Sequence, residues 1–472
     1  MISRLWCWKQ PATPSRCRFH KNISRSPPLS ANPLRRPIGG PDRKPAPQPP
    51  ADQIGPASGR PARKRTERIP PPGPTRRSLR GLDWFVLFVA NVQTGFGPFI
   101  SVYLTTQKWT QVDIGLVLTV GGLAALIGQM PGGMVVDGAR SERLVAGIAI
   151  AAIALSALAF VAMPVFSVIV TAAILHSAAS CLLGPAMAAI SLGLVGHAAI
   201  GERLGRNARF ASIGNGLAAA AMGACGYFLS AGSVFIVTAV LVGPALIALF
   251  TISSRDIDPD SAHGGIPHPP ADRPPTDIRH LLRNRPLLIL ASCVLLFHLA
   301  NAAMLPLVGS ILTTRSSDWA TVLIAACIVA PQIIVAVLSP WVGRQAGVWG
   351  RRPLLLIAFA VLPIRGLLFA VVADPYLLVA AQLLDGISGA VLAVMVTLMI
   401  ADVTRGTGHF NLGQGIVGTA MGIGASLSTT IAGYLSDHFG NAVAFSGLAA
   451  IAAAGLAAVW ALMKETRPTA DA

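Results

Sequence analysis

Charged side chains are scarce in this 472-residue sequence, which is 12% charged and 53% hydrophobic. A soluble protein carries about 25% charged residues, so the deficit excludes an ordinary water-soluble chain and indicates a lipid environment. Cysteine is scarce as well. None of the six cysteines forms a CxxC pair, and four of them stand singly in apolar stretches. This pattern lacks zinc-site spacing and favours cysteine acting as a small buried hydrophobic residue.

Motifs that carry enzyme chemistry are missing too. The sequence contains no phosphate-binding GxxxxGK[ST] loop, no GxSxG nucleophile elbow and no visible pair of catalytic carboxylates. We therefore predict that the protein is not an enzyme, has no catalytic residues and needs no metal or cofactor. Without a nucleotide-binding segment, ATP is not expected to supply energy directly.

The first 80 residues differ from the rest. They contain 17 prolines and 18 Lys or Arg against three acids, and they show no apolar periodicity. Such a segment cannot bury enough surface to offset its ordering entropy, so we predict disorder. Three interpretations of this segment compete: a polybasic tail that rests on anionic lipid headgroups, a targeting segment, or an extension upstream of a true start near Leu79–Gly81. We favour the last two. Because the remaining chain is nearly neutral, no nucleic-acid partner is expected.

After this tail, apolar stretches of about 20 residues recur, each long enough to cross about 30 Å of hydrocarbon. They predict an all-α membrane protein with twelve transmembrane helices. The predicted spans are 82–104, 113–136, 144–163, 165–192, 210–230, 233–253, 286–312, 320–343, 353–373, 376–400, 412–435 and 442–463.

A polar stretch at 254–285 divides the spans into two groups of six. The predicted units are a tail at 1–80, a first bundle at 81–253, a linker at 254–285, a second bundle at 286–463 and a tail at 464–472. Short matches repeat at a shared offset of 207 or 208 residues, such as Gly226-Tyr227 with Gly433-Tyr434. The halves therefore read as two pseudo-repeats, an organisation that places a transport site at the repeat interface.

Basic residues in the connecting segments predict the orientation. With both termini in the cytoplasm, inner loops hold 16 Lys or Arg and outer loops hold only Lys108 and Arg315. Since positive charge stays inside, we expect a multi-pass protein of the inner membrane with both termini cytoplasmic.

The chain resembles transporters of the major facilitator superfamily from about residue 82 to 463. The superfamily has the loop motif G-x-x-x-D-R-x-G-R-R. After the second span, Gly133 and Asp137 match it, and the basic part is reduced to Arg140 and Arg143. After the eighth span the residues that match are Gly343, Gly350, Arg351 and Arg352, and Gly347 occupies the position of the acid. The resemblance implies that these loop residues gate the transporter. The alternative is that the arginines only keep these loops on the cytoplasmic side of the membrane and have no role in gating.

Polar residues deep in a span tend to face a bundle interior or a water-filled cavity. In the superfamily, spans one, four, seven and ten line the central cavity. The resemblance therefore implies a substrate cavity, and the alternative is hydrogen bonding between helices without substrate contact. The cavity candidates are Asn91, Gln93, His176, His298, Asn301 and Gln382.

Arg365 is the only basic residue deep within a span, and Asp385 is the only acid well inside one. They lie on consecutive helices joined by a short turn, at depths of about 14 Å and 16 Å at 1.5 Å per residue. We predict that they form an intramembrane pair that takes part in proton coupling, since a carboxylate that binds a proton releases its partner. A purely structural salt bridge is the alternative. An Arg in span nine with an acid in span ten is similar to lactose-permease-like proton symporters.

These observations predict a monomeric secondary active transporter of a small-molecule substrate, working by alternating access in the lipid bilayer with protons as the coupling ion. Span five lacks the proline of the superfamily's drug/proton antiporter motif, which disfavours drug efflux. Efflux antiport and uptake symport both stay open. A non-transporting sensor or scaffold with the same fold is the alternative from another class, and a membrane-embedded enzyme ranks last.

Overall fold

A computed structural model describes residues 73–94, 97–230, 232–265, 281–315 and 319–467. The prediction of disorder for the N-terminal tail falls on residues 1–72, which lie outside the described residues. The end of the predicted tail is helical in the structure, because the first helix begins at Arg76 and not after residue 80.

The described residues are mostly helical and contain no strand. Helices of the first half are α1 (Arg76–Thr94), α2 (Gly97–Thr106), α3 (Gln111–Asp137), α4 (Glu142–Ala162), α5 (Phe166–Phe228) and α6 (Ser233–Thr251). A 3₁₀ turn at Ser254–Asp256 and the short α7 (Pro259–Ala262) follow. Helices of the second half are α8 (Arg285–Asn301), α9 (Met304–Arg315), α10 (Ala320–Trp349), α11 (Arg351–Val371), α12 (Pro375–Val403), α13 (Phe410–Phe439) and α14 (Asn441–Leu462).

The 63-residue helix α5 contains two membrane crossings. Gly196 has a left-handed backbone conformation, with φ 66° and ψ 177°, that reverses the chain. Asn207 Nδ2 donates to Ser191 Oγ over 2.7 Å, although sixteen residues of straight helix would separate them by about 24 Å. The sequence predicts a loop between these spans. The structure replaces it with one glycine, so Arg203, Arg206 and Arg209 lie on a helix.

Within the described residues, the helices account for twelve transmembrane spans. Ten described helical segments are long and apolar enough to cross a membrane, with α5 counted once and α8–α9 counted as one. The second arm of α5 and the combination of α1 with α2 supply the other two.

Side chains next to the helix starts cap them. Thr110 accepts a hydrogen bond from the Asp113 amide at the start of α3, and Asp374 accepts from the Tyr376 and Leu377 amides at the start of α12.

Each half has its own hydrophobic core. One core runs from Leu82 to Ala262, and the other lies in the second half and extends onto both arms of α5. Large apolar side chains also cover the outside of the bundle, for example Leu155, Ile247 and Phe250. An apolar exterior is what a protein surrounded by lipid requires.

Candidate functional site

A cavity of about 440 Å³ lies between the two halves. The first half contributes Gln93 of α1 and Gln129 of α3, and the second half contributes His298 of α8 and Gln414 of α13. Ser180, Thr397 and apolar side chains such as Val294 and Met421 complete the lining. No charged side chain lines this cavity among the described residues.

Two of the predicted cavity residues, Gln93 and His298, line this cavity. His298 is oriented by a 3.0 Å hydrogen bond from Nδ1 to the Val294 carbonyl oxygen. His176 lies one turn from the lining and hydrogen-bonds with Ser180 over 3.4 Å. Asn91 is buried, and its side-chain amide donates to the Leu87 carbonyl oxygen over 3.5 Å. The last two candidates, Asn301 and Gln382, contact the charged pair described next.

Arg365 of α11 and Asp385 of α12 form an ion pair. The same guanidinium donates to Asn301 Oδ1 and lies 3.3 Å from the Met304 sulfur. Gln382 Nε2 lies 3.5 Å from the second Asp385 oxygen. The depth count from the sequence places these two residues at one level, and the structure brings them into direct contact. Their role in proton coupling stays a prediction.

The two partners differ in exposure. The Arg365 side chain is 2% exposed and the Asp385 side chain is 32% exposed. Asp385 also lies within electrostatic range of His298, which lines the cavity. The carboxylate is therefore the more exposed partner, and the guanidinium is buried against Asn301, Met304 and the Phe369 ring.

Asp137 joins the halves at the face of the bundle where α1 begins and α14 ends, here called the terminal face. Its Oδ1 accepts from the Asn411 amide over 3.0 Å, and its Oδ2 accepts from the Leu412 amide over 2.8 Å. These donors belong to the first turn of α13, so Asp137 caps a helix of the other half. Gly133 permits this approach, because a Cβ there would overlap the Asn411 carbonyl oxygen.

The loop arginines of the first half do not pair with Asp137. Arg143 donates to Ser254 Oγ, and Arg140 is exposed and forms no ion pair with the described residues. A second seam on the same face joins α5 and α10. Gly201 contacts Gly343 there, and Arg209 Nε donates to the Ala336 carbonyl oxygen over 2.9 Å.

Arg351 and Arg352 interact within the second half. Gly350 links α10 to α11 with a φ of 92°. Beyond it, the Arg351 and Arg352 amides donate to the Glu465 carboxylate over 2.8 Å and 3.1 Å. The Arg351 guanidinium pairs with Asp402 at 2.9 Å. These contacts tie α11, α12 and the chain after α14 together, and none of them reaches the first half.

Sequence reasoning missed several buried charges. Asp83 of α1 pairs with Arg203 at 2.5 Å and with Arg206 at 2.6 Å. An acid within the apolar run GLDWFVLFV was a signal for a buried partner, but the partners lie about 120 residues away. Asp402 and Glu465 were missed because each stands near the end of an apolar run, beside polar residues, where an acid is expected to be solvated.

The start of the linker is also attached to both halves. His263 Nε2 lies 3.0 Å from Glu142 of α4, and this hydrogen bond raises the pKa of His263 above its ordinary value. The His263 carbonyl oxygen accepts from the Phe410 amide over 3.1 Å at the start of α13. In the described part of the chain, no group of three or more His, Cys, Asp or Glu could hold a metal ion.

Comparison with known proteins identifies the family. The model of the Major Facilitator Superfamily matches residues 84–344 and 295–472. The chain belongs to the major facilitator superfamily. Two sequences from strains of Mycobacterium tuberculosis, each described as an uncharacterised MFS-type transporter, are 40% identical over 399 residues, 83% of this chain and 94% of theirs.

The fold agrees with this family. The crystal structure of the human organic anion transporter TETRAN matches with a TM-score of 0.62 at 14% identity, and it covers 81% of this chain and 99% of that one. At this identity the match concerns the fold alone. Membership of this superfamily indicates that the protein transports small-molecule substrates across a membrane. Proteins of the superfamily are generally not enzymes.

Proposed function

We propose that this protein is a proton-coupled secondary active transporter of a small, uncharged, polar solute. The observation that carries the proposal is the asymmetric pair in the second half: a buried Arg365 held by an Asp385 that is one-third exposed. We place it in the inner membrane as a monomer, with the terminal face in the cytoplasm, as the distribution of basic residues favours.

Proton binding at Asp385 would change the local electrostatics. A lone Arg at the bilayer centre costs about 2.5–3.5 kcal/mol on the insertion scale, so Arg365 needs its partner. Once Asp385 is neutral, Asn301 is the remaining oxygen ligand of the guanidinium. Asn301 is the last residue of α8, and two residues separate it from Met304, where α9 begins. A change at Asp385 is thereby passed to the break in a helix that lines the cavity.

The lining of the cavity favours an uncharged solute. The side chains of Gln93, Gln129 and Gln414 make no hydrogen bond with the described residues, so their amides are available as donors and acceptors. An ionised solute would lack a counter-charge there, and burying an unpaired charge is costly. The volume of about 440 Å³ lies within the range of about 300–1,000 Å³ that small-molecule sites have.

Transport in proteoliposomes tests the proposal. A defined mixture of uncharged and ionised polar solutes is offered with an imposed proton gradient, and uptake is read by mass spectrometry. We expect only uncharged members to accumulate. Asp385→Asn should abolish dependence on the gradient and keep solute exchange. Asp437→Asn, which changes an exposed acid at the end of α13, is the matched control.

Unchanged proton dependence in Asp385→Asn would contradict coupling through this carboxylate. Failure of every solute to move would favour the sensor or scaffold with the same fold. The sign of the gradient that drives accumulation decides between uptake symport and efflux antiport.

Alternating access requires that the terminal face open and close, and we assign this closure to Gly133 and Asp137. Gly133→Ala places a methyl group against the Asn411 carbonyl oxygen, and overpacking of this kind costs about 1–3 kcal/mol. We expect the variant to favour the state open at this face, detected as increased thiol labelling of a cysteine introduced at Leu412. Gly122→Ala, on the same helix, is the control, because no atom lies within 4 Å of a Cβ added at that position. Equal labelling in both variants would remove the gating role.

A further inference from the structure

A groove of about 480 Å³ runs between α1 and α6, away from the transport cavity. Arg76, Arg77 and Arg80 form its rim at the terminal face, and Trp84 and Phe88 continue along its wall. Across from them lie Pro244 and Ile247 of α6. From Arg76 to Phe88 the helix rises about 18 Å, so the groove is cationic at the membrane surface and apolar below it.

The three rim arginines are exposed, and none has an ion-pair partner among the described residues. Nearby acids are already engaged. Asp83 pairs with Arg203 and Arg206, and Asp256 accepts hydrogen bonds from Thr75 and Ser78. Glu202 lines a neighbouring cavity that Arg76 and Arg80 also line, but it forms no ion pair with either of them. The three rim arginines therefore outnumber the nearby acids and have no ion-pair partner among the described residues.

We propose that this groove binds one anionic phospholipid, with its phosphate on Arg76, Arg77 and Arg80 and an acyl chain along Trp84 and Phe88. Guanidinium groups bind phosphate oxygens bidentately, and basic pockets between transmembrane helices on the cytoplasmic side bind anionic headgroups. Trp84 is 52% exposed at the level where membrane proteins place amphipathic aromatic rings.

The chain's own N-terminal residues are a poor occupant. Residues 1–72 contain only three acids and are strongly basic, so like charge disfavours them as the occupant of the groove. A lipid matches both ends of the groove, whereas a soluble phosphate matches only the rim. The inference does not depend on proton coupling or on the transported solute.

Native mass spectrometry of the full chain in a neutral detergent tests the site. The protein receives equal amounts of phosphatidylglycerol and phosphatidylcholine with the same palmitoyl-oleoyl chains. We expect selective retention of phosphatidylglycerol, reduced roughly fivefold for each arginine removed, in line with the contribution of one basic residue near an anionic surface. The test variant is Arg76→Gln/Arg77→Gln/Arg80→Gln.

The control removes three exposed arginines elsewhere on the chain: Arg283→Gln/Arg344→Gln/Arg405→Gln. It should retain phosphatidylglycerol as wild type does. Equal loss in both variants, or equal retention of the two lipids by wild type, would overturn the proposal. Displacement of the lipid by an equal concentration of glycerol 3-phosphate would also overturn it, because the site would then be a simple anion site. If the triple variant does not fold, Arg80→Gln alone should show the fivefold loss.

Discussion

The first half places Asp83 against Arg203 and Arg206, and the second half places Asp385 against Arg365. In the first group the acid is 3% exposed and one arginine, Arg206, is 54% exposed. In the second group the arginine is buried and the carboxylate is about one-third exposed. Similar ion pairs thus differ in which partner is exposed, and of these two groups only the second has the carboxylate as its more exposed member.

The largest expected effect is at Asp83. Asp83→Asn keeps the shape of the side chain and leaves the 3%-exposed Arg203 without a counter-charge. Removing one partner of a buried pair costs about 3–5 kcal/mol, so we expect this loss in the free energy of unfolding, measured by SDS titration in mixed micelles. Asp437→Asn should change little. If Asp83→Asn were as stable as that control, the ion pairs of Asp83 would not contribute to the stability of the fold.

Arg365→Gln should be milder. It leaves Asp385 without its cation, but that carboxylate is partly exposed and can be hydrated or protonated. We expect a loss of about 1–3 kcal/mol from the missing hydrogen bonds, in the same titration, together with loss of proton-dependent transport. A destabilisation equal to that of Asp83→Asn would show that exposure does not separate the two groups.

Part of this comparison was predictable from sequence. Arg365 and Asp385 flank one short turn, so their depths could be counted and their contact foreseen. The partners of Asp83 could not be found, because pairing α1 with the second arm of α5 depends on tertiary packing across about 120 residues. The number of spans and the two halves followed from hydropathy, which needs no contact information.

The limits of sequence reasoning are clearest at Gly196 and Asn411. A single glycine can reverse a chain only where the packing of both arms favours it, so the sequence around Gly196 predicts a longer loop. Asn411 is an ordinary polar residue at the start of an apolar run, and nothing in that run indicates that Asp137, from the other half, caps the helix.

A smaller effect is expected at Arg206. Its guanidinium is more than half exposed, and Asp83 keeps Arg203 when it is removed. Exposed ion pairs contribute about 0–1 kcal/mol, so Arg206→Gln should lower the free energy of unfolding by no more than that. The loss should also shrink in high salt. A cost near that of Asp83→Asn would mean that both arginines are needed to neutralise the buried acid.

The smallest effect is expected at His263, whose pair with Glu142 lies outside the membrane-spanning segments. The hydrogen bond to Glu142 is the main cause of its raised pKa, and the charges of Glu142, Asp137 and Asp260 act in the same direction. The pair therefore stabilises the protein fully below the unfolded value of 6.5, and the contribution disappears as pH rises through the higher folded pKa. We expect the stability difference between wild type and His263→Gln to be largest near pH 6 and to fall by up to about 1 kcal/mol at alkaline pH, as measured by thermal unfolding in detergent. His438→Gln, at an exposed histidine without an ion-pair partner among the described residues, is the matched control. A difference that grows with pH would mean that neutral His263 is the form that holds the linker to α4.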